Sequence, residues 1–210
     1  MRICTLLIFL SSFFPNPAWA TQTPAQAMQA LQQAIDSNDQ TLLERYLDLP
    51  AIIAQGVDLF VADCAANPLG SPDDPLLEML SGGLAQHVDS TAYQSIKLLL
   101  IQETSKFVLW GVASGTFSGQ PATDPVPGGG LLSTLFANAS IARKEIRSVR
   151  CATPQGTTAT ARAQLYDYGS ERAYPLRLAL TKQPEGHWKI TAVTNLAELI
   201  RTVRLEVEQR

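Results

Sequence analysis

The sequence predicts an α+β fold: a helical N-terminal part, then a roughly four-stranded antiparallel meander and a C-terminal helix. Three observations carry this reading. Apolar residues recur at helical spacing through the first half of the chain. Between Ala159 and Val193 they alternate with polar residues. The alternating segments are joined by turns too short for anything but antiparallel neighbours.

The chain opens with Arg2, an apolar run from Ile3 to Phe14, a Pro15-Asn16-Pro17 break and Ala18-Trp19-Ala20, the layout of a secretory signal peptide cleaved after Ala20. The run is shorter than the ~20 residues that cross a bilayer, and no later stretch is long and apolar enough, so no transmembrane segment is expected after signal removal. A periplasmic or secreted protein follows, organised as residues 1–20 signal peptide, 21–114 helical part, 115–130 Pro/Gly-rich linker or loop, and 131–210 antiparallel sheet part with terminal helix.

Thr23-Pro24-Ala25-Gln26 has a capping hydroxyl, a proline at the first helical position and an amide able to reach back to the cap. It starts a helix carrying Met28, Leu31, Ala34 and Ile35, and Ser37-Asn38-Asp39 ends that helix and caps the next, with Leu42, Leu43, Tyr46 and Leu47. In LERYLDLPAII, Pro50 disfavours helical geometry at Leu49 but fits the first turn of a new helix, so Tyr46 to Pro50 reads as a joint with Asp48 as its cap. The helix beyond carries Ile52, Ile53, Val57, Phe60 and Val61. Asn67 to Pro75 is a turn that reopens a helix through Leu84; Ser90 caps a longer one, with Phe107 to Val112 either its last turns or a short strand.

Gly115 to Gly130 holds Pro121, Pro125, Pro127 and Gly128-Gly129-Gly130 without any apolar period. No lysine and hydroxyl follow the glycines, so a connection is the better reading than a phosphate loop. Leu131 to Phe136 suggests a short helix. Strands follow: an irregular one around Lys144 to Ala152, then runs pointing Ala159, Ala161, Ala163 and Leu165, Leu176, Leu178 and Leu180, and Trp188, Ile190 and Ala192 to one side. Asn195-Leu196-Ala197-Glu198 opens the final helix with a cap-like start. Leucine and alanine are thus expected to fill the space between helices and sheet, leaving little room for reactive groups.

The formal net charge of −3 hides an asymmetry. From Thr21 to Gly115 the bases are Arg45, Lys97 and Lys106 against many acids, while the strand region is rich in arginine and lysine. Nucleic-acid binding would need more positive charge overall, and none is expected. Arg162, Arg177 and Lys189 fall on the polar side of three successive strands; aligned, they make a basic stripe for a small anionic ligand or for the acidic helices, the alternative being a solvated face that blunts the sheet. After export Cys64 and Cys151 form either a disulfide or two buried thiols.

No catalytic constellation emerges, and no cofactor or metal site is expected. His87-Val88-Asp89 reads as a helix end and His187 as a strand start; Asp73-Asp74 are caps in a turn; Ser114 has no nucleophile-elbow surroundings; Asn138-Ala139-Ser140 is a glycosylation sequon.

The order of features resembles the bacterial family called domain of unknown function 2939. The likeness is carried by Asp39-Gln40-Thr41-Leu42-Leu43-Glu44-Arg45-Tyr46-Leu47-Asp48-Leu49-Pro50-Ala51-Ile52, the glycine-bearing helices, the Pro/Gly linker and Trp188-Lys189-Ile190 near the end of the sheet. The family pattern has an aromatic residue where this chain has Leu49 and a basic one where it has Ile53. The resemblance implies an exported protein with no activity or catalytic residue to carry over. Two functions are expected: a non-enzymatic envelope module binding an envelope protein or small anionic ligand, or a hydrolase or isomerase using the cone-shaped pocket that cystatin-like and nuclear-transport-factor-like sheets form.

Overall fold

A computed structural model describes residues 22–66, 89–122, 126–127 and 139–208, the side chains of 64, 65, 207 and 208 excepted. The expected signal peptide, the helix through Leu84, Asp73-Asp74, His87, the glycine triplet, the helix from Leu131 and Asn138 lie outside the described residues.

Helix α1 (Pro24–Asp36) begins with the expected capping box: Thr23 Oγ accepts from the Gln26 amide at 3.3 Å, and the Gln26 side chain accepts from the Thr23 amide at 2.7 Å. Asp39 caps α2 (Gln40–Tyr46), accepting from the Leu42 amide at 2.9 Å. The joint then shows what it is for. Leu47 is extended and forms a parallel bridge with Ile190, and the Asp48 amide donates to the Ile190 carbonyl at 2.8 Å. The break between helices therefore satisfies backbone groups along an edge of the sheet, which would otherwise stand open. Helix α3 (Leu49–Ala66) follows at once, with Pro50 in its first turn, where a missing amide hydrogen costs nothing.

Helix α4 (Thr91–Ala113) is capped by Ser90, whose Oγ accepts from the Tyr93 amide at 3.1 Å, and it includes Phe107 to Val112 as its last turns. It packs on α3 through Leu49, Ile53, Val57, Val61, Tyr93 and Leu100. The Tyr93 hydroxyl donates to Asp58 at 3.0 Å. Burial, reinforced by the Asp58 hydrogen bond and charge, pushes that phenol up to about 12.

The sheet is the expected meander: β1 (Lys144–Cys151), β2 (Thr158–Asp167), β3 (Arg172–Lys182) and β4 (Trp188–Val193), all antiparallel and in chain order. β1 carries a bulge between Arg147 and Arg150, with Ser148 at φ 55°, which explains why its sequence lacks a clean alternation. α1 lies across the inner face and touches both β1 and β4. The small Ala159, Ala161 and Ala163 of β2 permit that close approach. Met28, Leu31, Leu43, Phe107 and Val112 join Leu178, Leu180, Trp188 and Ile190 in one core, so the helical and sheet parts share it.

Helix α5 (Leu196–Glu208) closes the chain against α3. Asn195, read above as its cap, is buried with its side chain turned sideways: Oδ1 accepts from the Arg177 amide and Nδ2 donates to the Pro175 carbonyl, both at 2.8 Å. It extends the sheet alongside Pro175, which has no amide hydrogen to give.

The stretch read as a linker also differs at its start. Thr116–Ser118 form a 3-10 turn, Thr116 Oγ1 donates to the Gly111 carbonyl at 3.1 Å, and Phe117 is buried in the main core. One aromatic residue among glycines and prolines was too small a signal against that composition. Phe117 sits against the backbone of Gly111, where any Cβ would collide with its ring. Gly111→Ala is expected to lower stability by about 1–3 kcal/mol, the usual cost of overpacking. Urea unfolding measures this; an unchanged midpoint would show that the turn does not seat Phe117 as described.

Candidate functional site

The inward alternation of β2 does not stop at Leu165. Two residues on, the same face presents Asp167, and directly opposite it in the register stands Lys144 of β1. Lys144 Nζ lies 2.6 Å from Asp167 Oδ1, with the side chains 14% and 9% exposed. The lysine also donates to Ser140 Oγ at 2.8 Å, and Ser140 Oγ donates to Asp167 Oδ1 at 2.7 Å. The same oxygen accepts from the Gly169 amide at 3.0 Å. Gly169 is required here, because a Cβ would run into Ser140 Oγ.

These contacts set the ionisation. Burial alone would raise the Asp167 pKa, but hydrogen bonds from Lys144, Ser140 and the Gly169 amide outweigh it and hold the carboxyl below its usual range. For Lys144 burial wins over the pull of Asp167, and its pKa lies below the ordinary lysine value.

The network continues from the second carboxylate oxygen. Ser170 Oγ donates to Asp167 Oδ2 at 3.1 Å, the Tyr174 hydroxyl donates to Glu206 Oε2 of α5 at 2.8 Å, and Glu206 Oε1 pairs with Arg172 at 2.7 Å. Ser170 and Tyr174 bring their oxygens to 3.3 Å. A carboxylate is the stronger acceptor, so each hydroxyl proton goes to its own carboxylate. Two hydroxyl oxygens are left facing each other with lone pairs to spare. Burial, opposed by Ser170 and reinforced by the Glu206 and Asp167 carboxylates, pushes the Tyr174 phenol up.

All of these groups except Arg172 line a hollow of about 690 Å³, open on one side, between the inner ends of β2 and β3, the segment before β1, and α5. Its other walls are apolar: Ile141, Leu165, Leu176, Leu199 and Val203. The expectation that leucine and alanine leave little room for reactive groups is therefore corrected. The alanines hold only for the half of the sheet beneath α1. Carrying the two-residue period one step past Leu165 would have found Asp167; Tyr174 lies one such step before Leu176. Ser140 and Glu206 carry no such signal, because their approach is tertiary.

The expected basic stripe lies on the other face. Arg162 and Arg177 are direct cross-strand partners, but Lys189 stands opposite Thr181, well along the strands from Arg177, and Arg150 takes the place beside Arg162. The shift follows from the antiparallel offset between β3 and β4, which strand order alone does not specify. Cys151 is half-buried at the end of β1, its thiol pushed up by burial and free among the described residues; the Cys64 side chain lies outside them. His187 is away from the hollow, edge-on to Tyr46 at 5.7 Å, with Glu185 4.0 Å from Nδ1. Asp48 caps α3 weakly, accepting from the Ala51 amide at 3.4 Å. Among the described residues no group of His, Cys, Asp and Glu is placed to hold a metal.

No family model, curated protein or solved structure matches the chain.

Asp167 has a folded pKa below its unfolded one, so its contribution is present above the unfolded carboxyl range, near pH 4, and is lost as pH falls through the folded value. Asp167→Asn is expected to flatten that acid limb and, by leaving the Lys144 ammonium buried without its partner, to cost about 3–5 kcal/mol at neutral pH. Urea unfolding followed from pH 7 to pH 2 measures both. An acid limb as steep in the variant as in the parent would exclude Asp167 as its source.

Proposed function

We propose that this chain is an exported, non-enzymatic binding module of the bacterial cell envelope, which holds a small amphipathic ligand in the hollow between β2, β3 and α5. The facing oxygens of Ser170 and Tyr174 carry this reading: each donates its proton to a carboxylate, so a ligand hydroxyl or N–H brought alongside the pair finds acceptors ready. The charges around them are already matched, Lys144 with Asp167 and Arg172 with Glu206, which favours an uncharged polar head over an ion. The apolar body lies along Leu165, Leu176, Leu199 and Val203.

Holding is favoured over turnover because the acids of the network are drawn away from the neutral range and Lys144, though lowered by burial, is committed to Asp167 and Ser140. Asp167 is held ionised and Tyr174 protonated, so neither is poised to exchange a proton near neutral pH. Export is supported by the Arg2, Ile3–Phe14 and Ala18–Ala20 pattern, and no helix among the described residues is long and apolar enough to cross a membrane. Membership of the domain of unknown function 2939 family stays part of the proposal, resting on the segment from Asp39 to Ile52 and the order of elements.

The test uses N-phenyl-1-naphthylamine, an uncharged aromatic probe with one N–H. The parent protein is expected to bind it with enhanced fluorescence, and Leu176→Trp, which narrows the hollow along its apolar wall, to weaken binding at least ~10-fold, given that one well-placed side chain commonly decides occupancy. The melting temperature should stay within a few degrees of the parent's. Equal binding by the narrowed variant would place the probe elsewhere and remove the hollow from the account.

A further inference from the structure

We propose that Arg150, Arg162 and Arg177 form an anion site on the outer face of the sheet, and that its occupant is a soluble ligand carrying two or more phosphate groups close together. The site lies on the opposite face from the hollow and stands or falls independently of it.

Arg150 is the direct cross-strand partner of Arg162, and Arg162 of Arg177. Directly opposed residues have Cβ atoms about 4.5–5.5 Å apart, so the three cations share a span of roughly 10 Å. All three are exposed, and β2 pairs with β3 without interruption along its whole length, so the row has a firm base. Like charges directly opposed destabilise a sheet, and this row has little to offset them. Arg177 meets Glu198 at 3.4 Å with both side chains 58% exposed, a weak surface pair. Among the described residues no carboxylate comes within ion-pair distance of Arg150 or Arg162. The next arginine along β1 is treated differently: Arg147 pairs with Glu145 at 2.8 Å and lies 3.8 Å from the centre of the Tyr166 ring. Its carboxylate and rings hold it in place beside a row left uncompensated.

Guanidinium groups in a row match anions that accept two hydrogen bonds at once. Phosphate fits the density better than carboxylate. Each phosphate monoester carries about −1.5 to −2 charges near neutral pH, so two adjacent ones offset three arginines within the span. Carboxylates on one side of an extended peptide repeat only every ~6.6–6.8 Å and would engage two. A bilayer surface is a poorer fit, because Leu165, Leu176, Leu178, Leu180, Ile190 and Val193, the bulky aliphatic residues of β2 to β4, all lie on the inner side, so these strands offer no aliphatic side chain to the acyl region.

Isothermal titration of the full mature chain with inorganic triphosphate and with orthophosphate tests this. Triphosphate is expected to bind at least ~10-fold more tightly than orthophosphate, and Arg150→Gln/Arg162→Gln to weaken it ~10–100-fold, the scale of lost charged hydrogen bonds. The double variant should melt no lower than the parent, since it removes a repulsion. Arg45→Gln/Arg201→Gln, the same charge change elsewhere, should stay within about twofold, because net charge alone acts diffusely. The proposal is overturned by equal losses in the two double variants, by equal affinity for the two phosphates, or by no triphosphate binding, including the case where anionic phospholipid vesicles sediment the parent but not Arg150→Gln/Arg162→Gln.

Discussion

Everything in this molecule depends on a sheet that can be packed on one face only. β2 sets the rule: Ala159, Ala161 and Ala163 are buried beneath the helices, while Thr158, Thr160, Arg162 and Gln164 between them stay exposed. A one-residue slip would exchange these sets, placing an arginine under α1 and the alanines in water, so the register is held by the burial it permits. The neighbouring strands inherit it. Leu178 and Leu180 follow Ala161 and Ala159 inward, and Arg177 follows Arg162 outward.

Side-chain size along the inner face then decides where the helices sit. Small residues let α1 cross close to the sheet from β1 to β4. Beyond them the inner face turns to Leu165, Leu176 and Tyr174, and Leu199, Val203 and Glu206 of α5 line the same hollow from the other side. The hollow ends where the last inward residue of β2 is an aspartate. That carboxylate gathers Lys144, Ser140, the Gly169 amide and Ser170 around itself, joining the segment before β1 to the turn between β2 and β3. A buried ion pair is weak evidence of stabilisation in itself, since desolvation offsets most of its attraction. The additional hydrogen bonds are what make it a fixed feature.

Much of this was legible in the sequence. The Thr23 and Ser90 caps, the joint at Leu47-Asp48 and the meander order follow from local chemistry that tertiary contacts did not override. What was misread depended on distance in the chain. Phe117 belongs to the core because Gly111 makes room for it, and the Asn195 side chain turns from its helix to the Arg177 amide and the Pro175 carbonyl of β3. The polar end of the hollow lies one period beyond Leu165, where the alternation of β2 passes from apolar residues to Asp167. Strand order puts Lys189 in a row with Arg162 and Arg177, whereas the offset of β4 puts Thr181 opposite it.

The most direct measurement of the one-sided sheet is thiol labelling of single cysteines placed in turn at positions 159 to 164, in a chain with Cys64 and Cys151 replaced by serine. The account predicts fast labelling of the folded protein at 160, 162 and 164, and protection at 159, 161 and 163 until denaturant unfolds it. Equal rates at all six positions, or the reverse alternation, would contradict the register on which both faces rest.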